Sequence, residues 1–259
     1  MIALLTDFGL SDWYVGAVKG VILGLNPGAA IVDITHSVPP QDIAAASFAL
    51  LASRGAFPQG TIFCVIVDPG VGMPRKIVCL RSGGRLYLAP DNGVLTEVVA
   101  EDGVEAAASV EERSFFREPT SATFHGRDIF APVAARLSLG LAIERLGPRL
   151  DRITMIEMPK PQVGSDSAEI PVRWVDAFGN VITGCSEDLL RQLRGSWGDV
   201  VAEAGGVRIP IRETYGVGAP GELVGLVGSS HRLEISVRGG SAAARFGLAI
   251  GDKVTLRKG

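Results

Sequence analysis

Histidine, cysteine and aromatic residues are scarce in this chain of 259 residues, and each scarcity closes off a class of chemistry. Three histidines, His36, His125 and His231, are too few for a histidine-rich metal site, and no metal-ligand set is expected. The cysteines Cys64, Cys79 and Cys185 are odd in number and include no CxxC pair. That argues against a disulfide framework or a structural zinc site and fits a cytoplasmic protein. No apolar run approaches the roughly 18 residues of a membrane span. The start MIALLTDFGL has no basic stretch and reaches Asp7 almost at once, so a signal peptide is not expected. A net charge of −3 lacks the basic excess that phosphate-binding faces use, so nucleic acid is not an expected partner. There is no GxxxxGK[ST], no GxGxxG after the first strand, no HExxH and no GxSxG. What remains is a globular composition, 47% hydrophobic and 20% charged, with 33 glycines against 6% aromatics. A ligand here must be held largely by backbone and a few polar groups.

The first half alternates strand and helix patterns. Short apolar runs at Ile2 to Thr6, Ala30 to Ile34 and Thr61 to Val67 read as strands. A helix capped by Ser11 runs to about Leu25, and its Gly16, Gly20 and Gly24 predict close packing on the sheet. A second helix runs from about Gln41 to Arg54. Ile77 to Leu80 and Arg85 to Leu88 read as a hairpin. A helix at Gly93 to Ala100, a strand at Val104 to Ser109 and a helix from His125 to Leu139 complete a mostly parallel sheet covered on both faces. The Pro-rich stretch around Met158 to Gln162 reads as a linker. Short β-type runs follow at Glu169 to Val175, Asn180 to Thr183, Val207 to Ile211, Leu223 to Val227, Leu233 to Val237 and Lys253 to Leu256, with one helix at Glu187 to Leu193. The expected class is α/β with a smaller β-barrel domain: residues 1–157, a linker at 158–166, and 167–259.

Ligands of parallel α/β sheets bind beyond the carboxyl ends of the strands. Two strands end there in Asp-X-Gly, at Asp7-Phe8-Gly9 and Asp68-Pro69-Gly70. Arg75, across a tight Gly/Pro loop, can keep Asp68 ionised and oriented. His125 precedes a helix, where the dipole favours a neutral imidazole. His36, beside Asp33 and Pro39-Pro40, reads as structural. In the second half, the turn Asp176-Ala177-Phe178-Gly179-Asn180 offers an amide suited to a base edge. The loops at Ser229-Ser230 and Arg238-Gly239-Gly240 allow close backbone approach to a ligand.

TDFG, VDPGVG-x-x-R, APDNG (Ala89 to Gly93), FHGRD and D-x-FGN-V occur here in order. Together they resemble the S-adenosyl-L-methionine (SAM) hydroxide adenosyltransferase family, which is related to the SAM-dependent fluorinase and chlorinase. The resemblance implies hydrolysis of SAM to adenosine and L-methionine by water attacking the ribose C5′, without a cofactor. It implies a homotrimer with sites between neighbouring subunits. The family's catalytic set falls on Asp68, Arg75 and His125. Substrate contacts fall on Asp7 at the ribose hydroxyls, on Phe8, and on Asp176, Ser229 and Ser230 at the methionine end. Asn180, Phe178 and Gly239 complete the set, with Asn180 on adenine. Gln41 and Ile182 stand where the fluorinase has aromatics, which leaves Phe178 as the expected stacking partner. The competing expectations are a halide-using relative, a metal-dependent hydrolase built on Asp7, Asp68 and His125, and a sensor that binds without turnover.

Overall fold

The computed structural model describes residues 1–215 and 219–259, which divide into two compact units, Met1–Glu157 and Met158–Gly259. In the first, β1 (Ile2–Thr6), β2 (Ile31–Thr35), β3 (Ile62–Ile66), β4 (Ile77–Ser82), β5 (Arg85–Pro90) and β6 (Ala106–Ser109) form one sheet ordered β2-β1-β3-β5-β4-β6. Pairing is parallel except where β4 meets β5 and β6. β1 and β3 are buried along their whole length, so their apolar runs are continuous rather than alternating. Ile2, Leu4, Cys64 and Ile66 share a core with α1 (Tyr14–Leu25) and α4 (Ala131–Ser138) through Val18, Ile22, Val133 and Ala134. Ala3, Leu5, Phe63 and Val65 alternate with that set and so point to the opposite face. That side carries α2 (Ile43–Arg54) and α3 (Thr96–Asp102), which pack on each other.

Several boundaries differ from the sequence reading for local reasons. α1 starts at Tyr14, and Ser11 does not cap it. Its Gly16, Gly20 and Gly24 are exposed, and a Cβ on any of them would meet nothing within 4 Å, so they do not serve close packing on the sheet. The buried face of α1 is Val15, Val18 and Ile22 instead. α2 starts at Ile43 because Asp42 caps it, accepting from Ala45 N at 2.8 Å. The segment from His125 opens as a π turn, Gly126–Phe130, before α4. β2 is an edge strand and only half-buried.

In the second unit, β7 (Gln162–Val163), β8 (Ser167–Val175), β9 (Val181–Ser186), β10 (Val200–Ala204), β11 (Val207–Pro210), β12 (Leu223–Val227), β13 (Arg232–Val237) and β14 (Lys253–Lys258) pair antiparallel. The path runs β11-β10-β14-β8-β9-β13-β12, with β7 beside β8. A bridge between Ile211 and Gly225 nearly closes it into a barrel. β10 and the short helix α6 (Ala242–Phe246) are additions to the sequence reading, which left 200–204 unassigned and read the Ser241 segment as a loop. Helix α5 (Glu187–Trp197) runs a turn further than expected, because Trp197 joins Leu190 and Leu193 in the barrel core. Ser186 caps it, with acids in the first turn and Arg194 in the last, as the helix dipole favours.

Candidate active site

The chain leaves β1 for β2 on one side and returns to β3 on the other, so β1 and β3 flank a topological switch point. Such points leave a crevice at the strands' carboxyl ends. Asp7 and Asp68 lie just beyond paired residues Thr6 and Ile66, and they line a cleft of about 330 Å³ with Phe8, Gln41, Phe124 and His125.

The Asp7 loop is pinned from beneath. Thr6 Oγ1 lies 2.9 Å from Nδ1 of buried His36 and accepts from Phe8 N at 3.2 Å. His36 Nε2 lies 3.1 Å from Asp33 Oδ1. Asp7 Oδ2 accepts from Gln41 N at 2.9 Å, and Gln41 adopts φ of 66°. A left-handed non-glycine residue persists only where its surroundings over-determine it, and the Asp7 carboxylate supplies that constraint.

Asp68 and His125 both line the cleft, and Arg75 bridges them. Arg75 Nε donates to both Asp68 oxygens at 3.0 and 2.9 Å, and Nη2 makes a further short contact with Oδ2. The two side chains are 6% and 14% exposed, so the pair is largely removed from water. Arg75 Nη2 also lies 2.9 Å from His125 Nδ1. A guanidinium can only donate, so Nδ1 accepts and the neutral ring carries its proton on Nε2. Burial, reinforced by the charge of Arg75, holds His125 below the ordinary imidazole range, against the opposing pull of Asp68 and Asp128.

Two loops position this cluster. Asn92 of the APDNG segment donates to Val67 O at 2.9 Å, which steadies the chain just before Asp68. Gly72, at φ of 78°, packs so tightly that a Cβ would sit 2.5 Å from Ala122 O, so the Arg75 loop and the His125 segment touch there. The cleft also has an aromatic lining: Phe124 stands edge-on to Phe8 and Tyr14 at centroid distances of 6.2 and 5.1 Å. Tyr14 escaped the sequence reading because it opens a helix and belongs to no quoted motif.

The second unit holds a separate pocket of about 810 Å³, lined by Asp176, Phe178, Asn180, Ser229, Ser230 and Gly239. The Asp176 carboxylate is committed to its own turn. It accepts from Phe178 N at 2.9 Å, Asn180 N at 2.8 Å and Asn180 Nδ2 at 2.9 Å. Phe178 is 79% exposed, and Ser230 Oγ is buried with no hydrogen-bond partner. Glu234 also lines this pocket, only 5% exposed, and accepts from Tyr215 Oη and from Ser236 Oγ at 3.3 Å. Burial, together with the charge of Asp176, pushes its carboxyl above the usual range. The signal for Glu234 was an acid inside the apolar run RLEISV, which the sequence reading treated only as a strand.

Residues 2–147 match the SAM hydroxide adenosyltransferase N-terminal domain, and residues 170–255 match the C-terminal domain of the same family. The chain belongs to the SAM hydroxide adenosyltransferase family. One relative, the (R)-S-adenosyl-L-methionine hydrolase of Salinispora tropica, is 39% identical over 261 residues, covering 100% of this chain and 98% of its own. A fluorinase of Nocardia brasiliensis is 28% identical over 291 residues, covering 100% of this chain and 97% of its own. The crystal structure of a conserved protein from Thermotoga maritima superposes with a TM-score of 0.94 at 41% identity, covering 99% of this chain and 100% of that one. Among the described residues of this family member, no group of three or more His, Cys, Asp or Glu side chains is placed to hold a metal ion. Among the described residues, no helix is long and apolar enough to cross a membrane.

Proposed function

We propose that this family member hydrolyses SAM to adenosine and L-methionine by attack of water on the ribose C5′. The observation that carries the reading is the carboxylate of Asp68 and the neutral imidazole of His125, both lining the switch-point cleft and both held by the Arg75 guanidinium. The hydrolase name borne by its relative supports the same reaction.

SAM is a sulfonium, so C5′ already bears a good neutral leaving group. The C5′–O bond forms as the C5′–S bond breaks, and its electron pair returns sulfur to a neutral thioether. Asp68 accepts a hydrogen bond from the attacking water and takes or shares the proton it sheds. Arg75 fixes Asp68 and favours hydroxide character at the oxygen. His125 turns its Nε2–H to the same water. Proton help of this kind is worth about 10²–10⁴-fold, and positioning can contribute more. The sulfonium loses its charge on the way, so a dry pocket favours the transition state.

Asp7 and Phe8 hold the ribose end in this reading. The second-unit pocket takes the remainder, with Asn180, Phe178 and Gly239 near adenine and Asp176, Ser229 and Ser230 near the methionine end. The complete site forms in a homotrimer, the cleft of one subunit meeting the second-unit pocket of its neighbour. The reaction uses no cofactor and runs in the cytoplasm.

The test is chromatographic identification of products after incubation with SAM, with and without chloride or bromide. The relative's name specifies the R form, which with L-methionine fixed concerns the sulfur, so each sulfur epimer is supplied separately. Adenosine and methionine from either epimer support the proposal. Halogenated adenosine formed faster than adenosine makes the protein a halogenase. Tight binding without product makes it a sensor.

A further inference from the structure

Asp128 follows His125 in the chain, does not line the cleft, and is completely buried. Adjacent side chains on a helix do not normally meet. Here the π turn Gly126–Phe130 lets Arg127 fold back on its neighbour, Nε to Oδ1 at 2.7 Å and Nη2 to Oδ2 at 2.8 Å. Arg117 Nη1 reaches Oδ1 at 3.3 Å, and Ser121 N donates to Oδ2 at 2.9 Å. Arg117 N donates to the Asp128 carbonyl at 2.8 Å, so both ends of the segment leading to His125 are tied to one residue. The Arg127 guanidinium lies 5.1 Å over the ring of Phe124, the residue before His125 and part of the cleft's aromatic wall.

We propose that Asp128 is a positioning residue for His125: its buried carboxylate gathers Arg117, Ser121 and Arg127 so that the 117–125 segment presents the imidazole to Arg75 and the cleft. The inference rests on the proposed hydrolysis and adds to it a residue outside the reacting set. A buried ion pair contributes little stability over apolar packing of the same shape. What such a cluster supplies here is geometry. Burial alone would raise the Asp128 carboxyl. Its bonds to Arg127, Ser121 N and Arg117 outweigh that and hold it below the usual range, so it stays ionised. The charged groups acting on His125 are therefore Arg75 and Asp68 from the loop after β3 and Asp128 from the π turn, with Asp7 on the same cleft.

The test uses the full chain carrying Asp128→Asn, which keeps the shape and removes the charge. The expected results are a fall in kcat of about tenfold or more, with KM for SAM changed by less than about threefold. The acid limb of the kcat profile and the His125 NMR titration should both move to lower pH, because a stabilising negative charge is gone. Arg117→Gln, which removes a half-exposed guanidinium from Asp128, leaves the Asp128 charge less compensated and should move that titration upward. If Asp128→Asn only lowers the melting temperature while kcat, the acid limb and the titration stay put, Asp128 is structural and the inference fails. If Asp128→Asn does not fold, an unmoved titration in Arg117→Gln overturns it. If the titrations move as stated but the wild-type protein forms no adenosine, the hydrolysis reading fails and the coupling of Asp128 to His125 stands.

Discussion

Replacing Arg75 with Gln separates the roles of the cluster most clearly. The side chain makes its contacts with Asp68 through Nε and Nη2 and reaches His125 through Nη2. Removing it leaves the Asp68 carboxylate, 6% exposed, without its counter-charge. Breaking a fully buried pair costs about 3–5 kcal/mol, and this one opens on a cleft, so a loss near 2 kcal/mol is the expectation. For a chain of this size that is about 4–8 °C in Tm. The catalytic effect is larger: with the carboxylate unfixed and the imidazole free to turn, kcat should fall about 10²–10³-fold. The pH response has a definite sign. Arg75 helps hold His125 below its ordinary range, so the substitution raises it, and the acid limb of the rate profile moves to higher pH. Stability follows the same linkage. A histidine depressed in the folded state contributes stability present above its unfolded value near 6.5 and lost as pH falls through the folded value. That loss should shrink in the variant. The assay is SAM turnover by chromatography across pH, with thermal melts on the same samples. A variant within twofold of wild-type kcat, or an acid limb moved to lower pH, would refute the reasoning.

Gly72→Ala adds a Cβ 2.5 Å from Ala122 O at a left-handed backbone, so melts should show a loss of about 1–3 kcal/mol, with kcat reduced as the Arg75 loop and the His125 segment part. Glu234→Gln removes a carboxyl that burial holds above its unfolded value, so below about pH 4 the variant and wild type should melt alike. Above that value the charged form is penalised only in the folded state, so the variant should melt higher at pH 8; equal melts there would count against the burial argument. Treatment with EDTA should leave adenosine formation unchanged, and loss of activity restored by a divalent cation would favour the metal-dependent hydrolase instead.

Much of the site was legible because its residues sit where chain geometry leaves little choice. A short apolar strand ending in Asp-X-Gly must turn at its carboxyl end, and two such strands lying side by side bring Asp7 and Asp68 to one crevice. Arg75 was legible through the tight loop returning it to Asp68. The glycines at 16, 20 and 24 misled because periodicity says which residues share a face, not whether that face meets the sheet or solvent. The π turn after His125 was not legible, since no spacing of residue types marks one, and the bonds of Asp128 to Arg117, Ser121 and Arg127 appear only once the segment is folded. Glu234 was hidden for the same reason. An acid in an apolar strand declares itself only when Tyr215 and Ser236 are seen to surround it. β10 went unread because Val200-Val201-Ala202-Glu203-Ala204 is short and shows no clear alternation of apolar and polar residues; its buried face, Val200, Ala202 and Ala204, is evident only in the folded barrel.

The proposed reaction turns on water, held by Asp68, Arg75 and His125, attacking C5′ of SAM. Turnover in ¹⁸O-labelled water followed by mass spectrometry of the nucleoside measures this directly. The expected product is adenosine carrying the solvent label at the 5′ oxygen, with methionine unlabelled. Adenosine formed without label, or a 5′-halogenated nucleoside in its place, would contradict it.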